Sequence, residues 1–157
     1  MFDLSPILRK NGVMSPVLCY SRKKIFEIIA FHGASLTGLS DTEIITGLNG
    51  REKIGTTYIQ NGFAFPHMII PDQAAEAALF LVLENPIAYG QMEDVKADII
   101  LALFLHQQTV DSLADEIEKT SLILSDITIT KTIRSLRNIP NQIYLLIINA
   151  CSKEKPE

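Results

Sequence analysis

Ala97-Asp-Ile-Ile-Leu-Ala-Leu-Phe-Leu105 is the stretch on which the fold turns. Asp98 is its one polar residue, so both faces of an extended chain here are apolar. A strand exposed to water on one side alternates apolar and polar positions, whereas a strand covered on both sides does not. The segment is too short to cross a membrane as a helix. It therefore predicts a central strand with helices above and below. A second strand is expected at Ala75–Leu83, with Asn85-Pro86 ending it. Gly55, Gly62 and Pro66 break helical spacing upstream. Thr56–Gln60 then reads as a short strand, and Phe63 and Phe65, alternating with Ala64, as a second extended piece.

Helical patterns flank these strands. Ile25, Ile28, Ile29 and His32 recur at the spacing of one helix face over Ser21–Ala34. Ser40 and Glu43 form a capping-box pair ahead of Ile44, Ile45 and Leu48, and Asn49-Gly50 offers a stop. In the last third, Val110, Leu113, Ile117 and Leu124 set one helix, and Ile129, Ile133 and Leu136 a second. Ile143, Leu146, Ile147 and Ala150 set a third, with Pro140 in its first turn. The expected order is helices, strands, helices: an α/β fold in which a mixed β-sheet is covered by helices on both sides. With no linker-like tract, residues 1–151 are expected to form a single domain and 152–157 a frayed C-terminal tail.

Composition narrows the function classes. The chain has 157 residues, 47% of them hydrophobic and 20% charged, which suits one packed core. Fourteen basic against eighteen acidic side chains give a formal charge of −4 and no basic patch for nucleic acid. Cys19 and Cys151 are too few for a disulfide framework. With only His32, His67 and His106, and neither CxxC nor HxxxH spacing, no metal site is expected. The start lacks a basic segment followed by an apolar one, and the runs Ala78–Leu83 and Ile99–Leu105 are short, so a cytoplasmic protein without membrane insertion is expected.

The chemistry gathers in Arg51-Glu-Lys-Ile-Gly-Thr-Thr-Tyr-Ile-Gln-Asn-Gly-Phe-Ala-Phe-Pro-His67. A neutral imidazole at His67 can serve as nucleophile, base or ligand. Pro66 limits where it points, and Gly62 permits a positive φ or close backbone approach. Thr56, Thr57 and Asn61 offer neutral donors for phosphate-like oxygens, and Arg51 a permanent forked cation. These are parts for holding an anion beside a nucleophilic nitrogen. The alternative is a partly buried histidine in a Gly/Thr-rich turn.

The segment resembles the active-site signature of fructose/mannitol-type EIIA proteins of the bacterial phosphoenolpyruvate-dependent phosphotransferase system, R-E-x-x-G-S/T-T-G-I-G-N-G-I-A-I-P-H-G. Arg51, Glu52, Gly55, Thr56, Thr57, Ile59, Asn61, Gly62, Ala64, Pro66 and His67 match without a gap. The resemblance extends over nearly the whole chain and is greatest to the stand-alone, nitrogen-related EIIA. It implies the mannitol-type EIIA fold, and a transient phosphoryl group on His67 received from a carrier of the HPr or NPr type. Arg51 would stabilise charge, and Thr56, Thr57, Asn61, Gly62 and Pro66 would shape the phosphoryl pocket. Glu52 is a supporting or helix-end residue. No metal or cofactor is implied. The downstream partner would be a regulatory target or a permease EIIB domain. A sugar-specific EIIA, and an EIIA-like interaction module that accepts no phosphate, are the competing readings.

Three glycines of the pattern are replaced by Tyr58, Gln60 and Met68. Many members also carry a second histidine where Leu113 stands here, and His106, at a strand end just before, is a candidate to substitute in part. Of the remaining residues, His32 reads as a structural histidine on a helix face. Ser21–Lys24 reads as a solvated basic run, Glu116, Glu118 and Lys119 as surface charges, and Cys19 as inert.

Overall fold

The computed structural model describes residues 2–90 and 94–152. The tail expected over 152–157 lies, from residue 153 on, outside the described residues. A six-stranded mixed sheet forms the middle layer. Its strands are β1 (Val13–Val17), β2 (Tyr58–Gln60), β3 (Phe63–Ala64), β4 (His67–Ile70), β5 (Ala77–Ala88) and β6 (Lys96–His106). The order across the sheet is β1-β5-β6-β3-β2, and β4 pairs with β6 beyond the end of β3. β5 and β6 are antiparallel, while β1 on β5, and β3 and β4 on β6, are parallel.

Alternation along β6 explains the apolar run. Ile100, Ala102 and Phe104 enter one core with α1 (Arg22–Thr37) and α2 (Asp41–Ile54). Ile99, Leu101, Leu103 and Leu105 enter a second core with α3 (Gln107–Leu124), α4 (Ile127–Ser135) and α5 (Pro140–Ala150). Each successive side chain switches layer, so two helical layers share one strand. The N-terminal Phe2, Leu4 and Leu8 complete the second core.

The helix starts behave as their sequences predict. Ser21 caps α1 by accepting from the Lys24 N–H, and Ser40 and Glu43 form the reciprocal capping box of α2. Pro140 occupies the first turn of α5.

Several boundaries differ from expectation. A strand precedes the first helix: β1 was not foreseen because Ser15 and Pro16 disrupt its pattern. It is an edge strand, where proline is tolerated. The Asn49-Gly50 stop is overridden, and α2 runs on to Ile54 with a buried Glu52 in its last turn. β5 continues through Asn85-Pro86; the exposed Glu84-Asn85-Pro86 segment coincides with a register shift between Val82 and Ile87, and such irregularities accommodate proline. Phe63 and Phe65 enter the second core and Ala64 the first, so the expected alternation holds, although all three are buried. The buried stripe of α1 passes through Ile25, Phe26, Ile29, Ala30 and Gly33. His32 is at its margin, half-buried, edge-on to the exposed Phe31 ring.

Candidate functional site

The last turn of α2 and the first residue of β4 meet at one corner of the sheet. His67 is aligned with Leu103 of β6, and the preceding Pro66 carbonyl accepts the Leu103 N–H at 3.0 Å. This bond fixes the backbone just ahead of the imidazole. Met68 points the other way. A Cβ on Gly47 of α2 would fall 2.9 Å from its sulfur, so that glycine makes room for the bulkier residue flanking the histidine.

The His67 ring is held at both nitrogens. Nδ1 lies 2.9 Å from the Phe65 carbonyl oxygen, and Nε2 accepts from Arg51 Nε–H at 3.2 Å. A carbonyl cannot donate, so Nδ1 carries the proton and Nε2 presents its lone pair. Burial pushes the imidazole below its ordinary value; the Phe65 carbonyl opposes this, Arg51 adds to the fall, and Glu52 opposes it. The ring is thus a neutral base at neutral pH. Phe65 packs against it with ring centroids 4.8 Å apart.

Arg51 is half-buried and doubly tied, donating to His67 and, through Nη1, to the Gly55 carbonyl at 2.9 Å. Beside it, Glu52 is buried. Its carboxylate accepts from the Thr57 hydroxyl, from the Thr57 N–H at 3.3 Å, and from the Tyr89 hydroxyl at 3.1 Å. Arg22 Nη1 lies 3.7 Å from Glu52 and donates to the Tyr89 carbonyl at 2.7 Å. The Ser21–Lys24 run is therefore not uniformly solvated. Arg22 turns inward, over the rings of Phe26 and Tyr89, while Lys23 and Lys24 are exposed.

A cavity of about 310 Å³ opens over His67. Arg51, Thr56 and Thr57 line it, with an apolar wall from Ile59, Phe65, Leu105, Val110, Ala114 and Ile117. Glu118 and Ser121 of α3 complete it.

The expected pocket set divides. Thr56 reaches the cavity, but its hydroxyl also accepts the Tyr58 N–H at 3.1 Å. Thr57 lines the cavity with its hydroxyl committed to Glu52 and Tyr89. Pro66 is buried and acts on the backbone. Asn61 and Gly62 belong elsewhere: they are the two-residue turn joining β2 to β3, both with positive φ, 53° and 80°. That is the Asn-Gly signature of a tight hairpin, a signal available in the sequence. Asn61 donates to the Ser125 carbonyl at 2.9 Å. Arg134 donates to the Asn61 carbonyl at 2.6 Å and grips Asp98 with two bonds of 2.8 Å. Two replaced glycines also serve the hairpin: the Tyr58 hydroxyl accepts the Gly62 N–H at 3.0 Å, and Gln60 donates to Ser125 at 3.1 Å.

A Cβ on Gly62 would collide with Arg134 Nη2 and lie 2.6 Å from Asp98 Oδ1. Gly62→Ala is expected to cost about 2–4 kcal/mol, from positive φ plus a disrupted ion pair between the half-buried Arg134 and the buried Asp98. Urea unfolding would show the midpoint falling at constant slope.

His106 does not stand in for a second histidine. Ile70 is its register partner, three residues beyond His67 along β4. Its Nε2 lies 2.7 Å from the Ala74 carbonyl, its backbone N–H donates to Glu76 at 2.9 Å, and it lines a different cavity with Asp72 and Ser112. Leu113 lines that cavity too, at a non-helical kink in α3, so Val110 and Ala114 face His67 instead. Glu118, read as a surface charge, is exposed, and helix phase together with the kink also brings it to the rim of the cavity. Tyr89 and Arg22 had no local signal, being 37 and 30 residues from Glu52.

Among the described residues, no group of three or more His, Cys, Asp or Glu side chains is placed to hold a metal ion, and no helix is long and apolar enough to cross a membrane.

Comparison with known proteins adds lineage to this geometry. A family model described as "Phosphoenolpyruvate-dependent sugar phosphotransferase system, EIIA 2" matches residues 6–150. The nitrogen regulatory protein of Klebsiella oxytoca is 29% identical over 98% of this chain and 94% of its own length. That of Escherichia coli K12 is 28% identical over 92% and 89%. Among solved structures, the nitrogen regulatory protein IIA-Ntr of Neisseria meningitidis superposes with a TM-score of 0.76 at 18% identity, covering 90% of this chain and 97% of that one. IIA mannitol of Escherichia coli superposes at 0.68 and 13%, covering 88% and 97%.

Proposed function

The chain belongs to the EIIA 2 family of the phosphoenolpyruvate-dependent sugar phosphotransferase system, and from that premise we propose that it carries a phosphoryl group on Nε2 of His67. The observation that carries this reading is the two-sided hold on the imidazole: Nδ1–H is committed to the Phe65 carbonyl, leaving the Nε2 lone pair beside a guanidinium.

The step needs little from the protein beyond position and charge. The Arg51 Nε–H bond to Nε2 opens, and the freed lone pair attacks the phosphorus of a donor phosphohistidine in line. The donor N–P bond breaks, and its electron pair returns to the donor ring. The new positive charge on the His67 ring is shared with the Phe65 carbonyl through Nδ1–H. Arg51 meets the negative charge on the equatorial oxygens.

The donor is a small phosphocarrier of the HPr or NPr type, and the setting is the cytoplasm. A regulatory role, rather than service to one sugar permease, is favoured by matches that run over nearly the whole length of nitrogen regulatory proteins.

The test is incubation with phosphoenolpyruvate, Enzyme I and such a carrier, followed by intact mass and NMR of the modified ring. One acid-labile, base-stable phosphoryl group on Nε2 is expected. A carrier that loads a known relative yet leaves this protein unmodified would leave the interaction-module reading in its place.

A further inference from the structure

The cavity over His67 contains an ionisable group that phosphoryl uptake does not call for. Glu118 lines it from α3, and Arg51 is the one cation among its lining residues. The remaining wall is largely apolar, from Ile59, Phe65, Leu105, Val110, Ala114 and Ile117. Glu118 is exposed at the rim of this space of about 310 Å³, so solvent screens it on one side, while the apolar wall on the other screens less than open water does. A phosphoryl group there carries close to two negative charges.

We infer that Glu118 tunes the phosphorylated state, raising the tendency of His67 to give its phosphoryl group away. This rests on the phosphocarrier reading above. The carboxylate repels the phosphoryl oxygens. This raises the energy of the phosphorylated form while leaving the neutral ring nearly untouched. In the departing step, an acceptor (water, or a nucleophilic side chain of a partner) attacks phosphorus. The N–P bond breaks, its electron pair returns to Nε2, and the acceptor's proton passes to solvent or to the released phosphate. Glu118 touches no reacting bond and acts through the field alone.

This role differs from the helix-surface role its exposure suggests. A charge on a solvated face would change solubility and little else. A charge sharing a cavity with the phosphoryl group must change its lifetime, with the sign set by Coulomb's law.

The experiment compares the parent with Glu118→Gln, which keeps the shape and removes the charge, and Glu118→Lys, which reverses it. Each protein is loaded with phosphoramidate, a chemical donor that needs no partner, and a His67→Ala blank is subtracted. The half-life of the phosphorylated species is followed by intact mass at pH 8, in low and high salt. At low salt Glu118→Gln is expected to lengthen the half-life about threefold or more, and Glu118→Lys further. The differences should shrink in high salt. An unchanged or shorter half-life in Glu118→Gln overturns the inference, as does a difference insensitive to salt. Loading by phosphoramidate without loading by a carrier would instead count against the phosphocarrier reading and leave the comparison intact. Failure of both donors to load His67 overturns the two together.

Discussion

Arg51→Ala should slow phosphoryl uptake on His67 by about 10²–10³-fold, the usual effect of removing one aligned donor from a developing negative charge. The folded protein should survive, because Arg51 is half-buried and bonds outward to His67 and the Gly55 carbonyl rather than into either core. A second readout separates charge from architecture. Arg51 contributes to holding the His67 imidazole below its ordinary value, so its removal should raise the titration midpoint of that ring. Burial and the Phe65 carbonyl would remain. Arg51→Lys should recover only part of the rate, since a lysine supplies a point charge without the fork that meets two oxygens. Rates come from intact mass against time, and the midpoint from NMR of the ring protons. A variant that loses neither rate nor the depressed midpoint would remove Arg51 from the site.

The histidine–arginine pair was legible because both residues lie in one ungapped motif, although 16 positions separate them. The fold was legible where pattern and burial coincide. Ala97–Leu105 is apolar on both faces because its alternate residues feed two cores. Legibility failed where a distant contact outweighed a local signal. Asn49-Gly50 is an adequate helix stop, yet Leu48 and Glu52 are buried on either side of it and carry the helix through. Pro86 is an adequate strand stop, yet Ile87 and Tyr89 are buried beyond it. Asn61 was read as a donor for phosphate-like oxygens and Gly62 as a pocket residue permitting a positive φ; that φ is present, but it serves the hairpin both residues form. A motif records which residues occur together, not which of them face the chemistry. Here its turn residues shape the corner of the sheet, and its charged residues divide between the nucleophile and the core.

Glu52 shows that division most clearly, and Glu52→Ala is expected to be the most destabilising change at the site. The carboxylate receives the Thr57 hydroxyl, the Thr57 N–H and the Tyr89 hydroxyl, with Arg22 nearby. Truncation leaves these donors without an acceptor in a buried place and opens a void. Bonds to a charged group contribute about 1.5–3 kcal/mol each, and not additively, so a loss of about 3–5 kcal/mol is expected. Glu52→Gln fills the space and accepts part of the network, but its amide N–H groups face donors already present, so an intermediate loss should follow. The effect should reach function through geometry. Glu52 joins the last turn of α2 to Thr57, whose carbonyl accepts the N–H of Phe65 at 2.9 Å; Phe65 in turn orients His67. Loosening Glu52 therefore displaces Arg51 and the Phe65 carbonyl relative to each other. Even under conditions where Glu52→Gln is fully folded, its phosphoryl uptake should fall by about tenfold or more, since small misplacements of a positioned group are costly. Urea unfolding with mass-detected uptake decides it. A Glu52→Gln protein that is destabilised but transfers at the parent rate would confine the network to holding the fold, and would show that the Arg51–His67 contact is set by β4 and β6 alone.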